Sequence, residues 1–562
     1  MKRWSIRLLC LALTACGADD PAARDDAPGA PEDGPSGLAD GKADGLSLPS
    51  IDAPLPAGAD LDAPFAALFA PDDPTLALEL ALIDRVVDKR ASDANRYADG
   101  ENPFAVRYAV YNLRNTAIVE RLADAADQGV DVQILIHGDQ LDPARDYNTT
   151  DEYLVGRGFT FAADRDALDA KARRTTDLIG VNDRGLMHLK TRLYEWPRHR
   201  AVLSGSENPG DNALANEETL HLINDPRLTA RYAAEFEAVR GGERLTNAWD
   251  EGAGANVLFT PEGGGPRAGT KLLEWLADED EQILLMVFSL RDIKAPGAAR
   301  SLLQILGDKA KAGVPVYLIT DRKQSDGVDA AGNHLYRDDD TEDRLRRAGV
   351  HVYEATNRRT EFTAMHHKVA ILGRTKVRVV SDAANWSFAA LGSDRKTGNN
   401  VESMLFLDTE ALDGGTTGRR YLAQWLRVLE RYADESARDG EPSFEKVRDA
   451  LLGAAGWPTV PVTFVAHDTY TEWGQVAAVQ GDVDALGAWG EAGPGLTLGT
   501  DGDRYPTWMG ATELPVGQTF AWKLSVLAGD DVRWERGADR AGRAQSTALL
   551  PTEQALHEGD WR

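Results

Sequence analysis

Two short strings recur in the same order along this chain. The first runs His188-Leu189-Lys190, then Gly205-Ser206-Glu207-Asn208, then Asn216-Glu217-Glu218. The second runs His366-His367-Lys368, then Asp382-Ala383-Ala384-Asn385, then Asn400-Val401-Glu402. The step from His to Asn agrees between the copies to within a single position, and the step from Asn to Glu is longer in the second. One His-x-Lys on a strand is usually a surface pair. Two copies inside a larger repeat require a duplicated fold. The flanks supply that repeat. An apolar strand beginning at Phe104 ends in Leu113-Arg114, and another beginning at Ile283 ends in Leu290-Arg291. The offset between them matches that from His188 to His366 to within a single position. The next strands open on Gly129-Val130 and Gly313-Val314, at a slightly larger offset. That period is too long for a solenoid. From about residue 75 to 455, apolar strands alternate with amphipathic helices, the pattern of an α/β fold.

The 562 residues are long for one core and predict several domains. Lys and Arg total 62 against 90 Asp and Glu, a net charge of −28. That balance disfavours sequence-blind binding to nucleic acid and polybasic attachment to anionic lipid. It leaves room for a small basic pocket. The 2 cysteines exclude a disulfide framework and a Cys-based zinc cluster. His366 and His367 are adjacent, so on a strand they face opposite sides. No H-E-x-x-H, G-x-S-x-G, G-x-G-x-x-G or P-loop string occurs. Neither a metal nor another cofactor is expected. His137, His199, His221, His334, His351, His467 and His557 lack motif context and read as structural or surface residues.

The paired strings resemble the phospholipase D superfamily, marked by two H-x-K-x4-D motifs, each followed by a G-S-x-N turn and an N-x-E strand. The resemblance spans roughly residues 60–455. It implies two domains meeting face to face around one shared site. It also implies a chemistry in which one neutral imidazole attacks phosphorus and the other, protonated, gives its proton to the leaving alkoxide. Two Lys and two Asn would hold the phosphoryl oxygens. A Glu behind each His would set its tautomer. Carried over residue by residue, these roles fall on His188, Lys190, Asn208 and Glu218, and on His366, Lys368, Asn385 and Glu402. Glu195 and Ser206 are supporting residues. The departures are specific. The motif Asp is Glu195 in the first half and Gly373 in the second. Gly205-Ser206 becomes Asp382-Ala383. The second half has lost one carboxylate and one hydroxyl, which implies reduced or specialised activity, or a decayed site.

The N-terminus carries Lys2, Arg3 and Arg7, then a short apolar run ending in Leu13-Thr14-Ala15-Cys16. Basic head, apolar middle and small-residue end form a secretory signal. Its end resembles a bacterial lipobox, which implies acylation of Cys16 and a membrane-anchored, periplasmic or cell-surface lipoprotein. Removing residues 1–15 would take the net charge from −28 to −31. Residues 17–55 are rich in Ala, Asp, Gly and Pro without apolar periodicity, and read as a disordered acidic tether. No later stretch reaches transmembrane length.

After about Pro461 short strands alternate with Gly, Asp and Pro turns, as in a β-sandwich. Six of the 13 Trp lie here. Leu486-Gly487-Ala488-Trp489, Trp522-Lys523 and Trp534-Glu535-Arg536-Gly537-Ala538-Asp539-Arg540 resemble, with Thr471-Glu472-Trp473-Gly474-Gln475, the starch-binding carbohydrate-binding module family 20. The resemblance implies an aromatic platform for α-glucan made of Trp489 and Trp534 with Lys523 nearby. The family's Asn is Asp539 here.

The expected architecture is therefore a lipoprotein signal (1–16), a tether (17–55), phospholipase D-like halves at 60–250 and 251–455, and an all-β sandwich at 460–562. The expected function is an anchored phosphodiesterase that forms a phosphohistidine and binds starch or related α-glucan. Phospholipid is the favoured substrate, since net charge disfavours nucleic acid. The competing readings are an inactive phospholipase D-like scaffold that binds surface glucan, and a nuclease.

Overall fold

A computed structural model describes residues 53–562, except 94, 96–101, 142–147, 164–175, 182–184, 211–212, 327–339, 357–363, 392–399, 437–439, 491–492 and 530. The signal, Cys16, nearly all of the tether and His334 lie outside the described residues. No helix among the described residues is long and apolar enough to cross a membrane.

The first half is built on eight strands: β1 (Phe65–Ala70), β2 (Ala105–Val110), β3 (Asp131–His137), β4 (Thr160–Ala162), β5 (Thr176–Val181), β6 (Lys190–Trp196), β7 (His199–Gly205) and β8 (Glu218–Ile223). They form one mixed sheet in the order β1-β8-β7-β6-β2-β3-β5-β4. The second half has β9 (Ala255–Thr260), β10 (Ile283–Val287), β11 (Val316–Asp321), β12 (His351–Ala355), β13 (Lys368–Leu372), β14 (Arg378–Ser381) and β15 (Glu402–Asp408). Read from the other edge, its order β9-β15-β14-β13-β10-β11-β12 repeats the first, with β12 where β5 and β4 extend the first sheet. The duplication expected from the shared sequence offset is thus a repeat of topology. Central strands such as β3 and β10 are near-continuous apolar runs, as strands covered on both faces must be. Ile134, Leu135, Leu284 and Leu285 have no exposed surface. Each such side chain contributes on the order of 1.5–3 kcal/mol by burial.

Helices start where the local chemistry caps them. Asn115 accepts the Ile118 amide at 3.1 Å before helix Thr116–Asp127. Ser301 and Gln304 form a reciprocal capping box at helix Leu302–Lys311. The longest helix, Thr416–Ser436, packs against strands of both sheets. Its Tyr421, Leu422, Trp425, Leu426 and Leu429 are fully buried.

The halves are stitched by backbone bonds. His188 N–H donates to Val401 C=O at 2.9 Å, and Val401 N–H to Leu186 C=O at 2.8 Å. The mirror seam is His366 N–H to Glu217 C=O at 3.0 Å and Glu217 N–H to Ala364 C=O at 2.9 Å. These short parallel bridges place both motif histidines on the boundary.

Residues after Thr459 form two antiparallel-rich sheets. One has three strands, ordered Trp508–Pro515, Thr459–His467, Ala555–Asp560; the other has five, centred on Val476–Gly481 and Thr519–Ala528. Phe464, Phe520 and Trp522 fill the space between them.

Candidate active site

Each motif histidine sits just before the strand that carries its lysine, β6 or β13. Their carboxylate partners cross the boundary. His188 Nδ1 lies 2.8 Å from Glu402 Oε2, and His366 Nδ1 lies 2.8 Å from both oxygens of Glu218. Along the chain each Glu follows the His of its own half; in space each Glu serves the His of the other. A carboxylate only accepts, so Nδ1 carries a proton in both rings and Nε2 is the atom that does chemistry, through its lone pair in a neutral ring or its N–H in a protonated one.

The other motif residues repeat the two-fold. Lys190 Nζ donates to His188 C=O at 2.9 Å, and Lys368 Nζ to His366 C=O at 2.7 Å. Asn216 and Asn400, the first residues of the N-x-E strings, each tie the seam together. Their amide oxygens accept Ala364 N–H at 2.8 Å and Leu186 N–H at 2.9 Å, and Asn216 Nδ2 reaches Glu218 at 3.2 Å. His188, Lys190, Asn208, Glu218, His366, Lys368, Asn385 and Glu402 are all buried, and the Asn208 amide oxygen has no hydrogen-bond partner. Burial, followed by the Lys190, Lys368 and His366 charges, holds the His188 imidazole well below its ordinary pKa. That Lys368 and His366 act on His188 is the electrostatic mark of one shared site. Burial pushes Glu218 up to about 7, against the pull of Lys368 and Ser206.

Two flanking aromatics escaped the motif reading. Tyr111 lies 5.3 Å from the His188 ring and 5.6 Å from Lys190 Nζ. Phe288 lies 4.5 Å from the His366 ring and 4.7 Å from Lys368 Nζ. They obey the same offset as Leu113-Arg114 and Leu290-Arg291, which was the available signal.

The departures acquire physical meanings. Glu195 lies five residues past Lys190 along β6, about 16 Å away. It pairs there with Arg200, and with Arg107 at 3.3 Å, away from the histidines. Gly373 occupies the matching place after β13 with φ +79°. Its turn is held instead by Glu281, which accepts Arg374 N–H at 2.9 Å, Thr375 N–H at 3.1 Å and Thr375 Oγ1 at 2.6 Å. Gly205 is obligatory, since a Cβ there would meet Thr219 C=O at 2.0 Å. Its counterpart Asp382 has φ +108° and is buried. Its carboxylate accepts Ser204 Oγ at 2.8 Å and Tyr232 OH at 2.7 Å, both from the first half. The lost glycine has become a tie between halves. Ser206 Oγ donates to Glu218 at 2.5 Å, a hydrogen bond that Ala383 cannot make to Glu402.

Under the first motif lies an asymmetric brace. Fully buried Arg192 donates to Lys190 C=O at 3.0 Å and to Glu207 C=O at 2.8 Å, and pairs with buried Glu79 at 3.3 Å. The second half has Ala370 and Ala384 at the matching positions. His367 turns away from the site to Thr219 Oγ1 at 2.7 Å, and His221 lies between Ser204 C=O and Tyr421 OH. Asp326, Glu342 and Glu354 bring carboxylate oxygens within 4.8 Å of one another, yet Arg346 already pairs with Glu354 at 3.2 Å.

In the terminal sandwich, Trp489 and Trp534 are each 38% exposed with ring centres 6.1 Å apart. Lys523 Nζ donates to Gly537 C=O at 2.8 Å and pairs with Asp539 at 3.3 Å. Glu535 anchors this loop through Leu524 N–H at 2.9 Å and Arg540 at 2.7 Å. Trp508 and Trp522 are core residues, whereas Trp473 is fully exposed.

The comparisons match this division. Residues 104–240 and 274–414 match the family model described as cardiolipin synthase, PLD-like domain. Residues 459–550 match the starch binding domain. An alpha-amylase of Thermomonospora curvata is 40% identical over 91 residues, 16% of this chain and 14% of that protein. The chain thus spans about a seventh of that relative. A phospholipase D family member, Nuc, from Salmonella typhimurium is 18% identical and covers 32% of this chain and 95% of its own, with a TM-score of 0.24. Polyphosphate kinase from Porphyromonas gingivalis is 14% identical over 65% of this chain and 50% of its own, with a TM-score of 0.39. Both solved structures are too distant to speak to function.

Proposed function

Since the chain joins duplicated phospholipase D-like domains to a starch-binding domain, we propose that it is a phosphodiesterase acting through a covalent phosphohistidine, held beside α-glucan by its terminal module. The observation that carries this reading is the crossed pairing of His188 with Glu402 and His366 with Glu218. It leaves two Nε2 atoms and two ammonium groups at one boundary.

His188 is the nucleophile in this account. Its imidazole is held neutral by burial and by Lys190 and Lys368, and one Glu402 oxygen orients it. Its Nε2 attacks phosphorus, and the P–O bond to the leaving alkoxide breaks. His366, gripped by both oxygens of Glu218, is the acid that protonates that alkoxide. Water, deprotonated by His366, then cleaves the N–P bond. Lys190, Lys368, Asn208 and Asn385 bear the phosphoryl charge. Phospholipid is the favoured substrate, and acylated Cys16 the anchor to a periplasmic or outer surface. The acidic net charge of −28 weighs against a nuclease.

An inactive glucan-binding scaffold is the second reading, favoured by one observation, the missing hydroxyl at Ala383. Soluble protein beginning near residue 50 separates the two. Incubation with phospholipids, bis-p-nitrophenyl phosphate and DNA in EDTA should show turnover that His188→Ala abolishes. No turnover on any substrate would favour the scaffold.

A further inference from the structure

The terminal sandwich is docked. Arg420 on the long helix donates to Ser546 C=O, Arg419 pairs with Glu553 at 2.5 Å, and Arg543 pairs with Glu430. Beside these contacts a cleft of about 930 Å³ opens between the helix and the sandwich. It is within the size range of small-molecule sites, and nothing in the phosphoryl chemistry uses it.

Three observations describe what it takes. First, it holds buried polar atoms that lack partners. Ser546 is 5% exposed and its Oγ has no hydrogen bond; Gln545 Oε1, next to it, is likewise buried and unpaired. Second, its charges are already balanced. Arg427 pairs with Asp72 at 2.9 Å, Arg540 with Glu535 at 2.7 Å, and Arg543 with Glu430. An anion finds no net field there, whereas a neutral polyol finds many donors and acceptors. Third, two residues that line the cleft are bonded to residues flanking the aromatic platform. Asp539 lines it and also pairs with Lys523. Val483 lines it and its carbonyl accepts Ala488 N–H at 3.1 Å, one residue before Trp489.

We propose that this interdomain cleft binds the α-glucan chain as it leaves the Trp489–Trp534 platform, so that the chain is gripped between the sandwich and the catalytic domains. This rests on the α-glucan reading of the platform. A longer glucan then binds tighter than a short one, and the increment belongs to the cleft.

The test is calorimetry on the full chain with maltotriose and maltoheptaose. Two variants target the cleft: Ala541→Trp, which fills it from an exposed position, and Gln545→Ala. Trp489→Ala targets the platform. The expected result is roughly tenfold tighter binding of maltoheptaose, lost in both cleft variants while maltotriose affinity stays unchanged. An undiminished length increment in both cleft variants, or none in the parent protein, overturns the cleft. Failure of the parent to bind either sugar overturns the platform reading and takes the cleft's ligand with it. Maltotriose binding that survives Trp489→Ala overturns the platform's location and, with it, the path into the cleft.

Discussion

Glu402 Oε2 stands 2.8 Å from His188 Nδ1, although 214 residues of chain separate them. The reciprocal pair, Glu218 and His366, spans 148 residues. Neither half alone holds a complete His–carboxylate pair. The two copies are therefore one site by construction, and each carboxylate substitution should injure the histidine of the opposite half. Glu402→Gln is expected to block phosphorylation of His188, and Glu218→Gln to slow leaving-group departure, each lowering kcat by about 100-fold or more. The split is read from leaving-group dependence: substrates with acidic leaving groups should rescue Glu218→Gln and not Glu402→Gln.

Ser206 and Ala383 differ by one oxygen, and that oxygen holds Glu218. Ser206→Ala is expected to lower turnover about tenfold, the worth of one charge-assisted hydrogen bond. Ala383→Ser, which offers Glu402 the same support, should raise turnover or leave it level. A loss with Ala383→Ser larger than that with Ser206→Ala contradicts this account of the pair.

Arg192 and Glu79 are both buried without exposure. Removing one charge strands the other. Arg192→Met is expected to destabilise the chain by about 3–5 kcal/mol, seen as a lower denaturant midpoint. The double variant Arg192→Met with Glu79→Leu should recover part of that loss. Its catalytic deficit should remain, since Arg192 also braces the Lys190 and Glu207 carbonyls.

Glu235 is buried beside Arg231, and burial pushes its pKa up to about 8. Its native state therefore holds a proton that the unfolded state releases near pH 4.5. The stability it contributes is complete below that pH and is lost progressively as pH rises from there through about 8. Melting temperature should fall from pH 6 to pH 8, and Glu235→Gln should flatten the fall by a few degrees, on the order of one kcal/mol. An identical slope in the variant removes Glu235 as the cause.

Much of this was legible in the chain. His188-x-Lys190 and His366-x-Lys368 stand out because strand repeats and motif repeats share one offset, and the starch-binding strings lie close together in sequence. The crossing of the Glu–His pairs was not legible. Both arrangements obey the same motif, and only the seam at Val401 and Glu217 decides between them. Tyr111 and Phe288 were hidden because aromatic residues at strand ends are common, and only the repeat makes them a pair. The departures at Gly373 and Asp382 looked like losses in isolation. Their compensation by Glu281, and by Ser204 with Tyr232, comes from residues distant in sequence, which no local pattern carries. Trp473 could not be told from the core Trp508 and Trp522 because all lie among similar short strands.

The most direct test is mapping of the covalent intermediate under basic conditions, where a phosphorus–nitrogen bond to imidazole survives. The His366→Asn variant, mixed with a phosphodiester that has an acidic leaving group and a label in its retained phosphoryl portion, then quenched in base, should trap label on the peptide that contains His188, with EDTA present throughout. Label on that peptide, absent in His188→Ala, is the predicted result. Steady turnover in His188→Ala, or label on a peptide without His188, would contradict the mechanism.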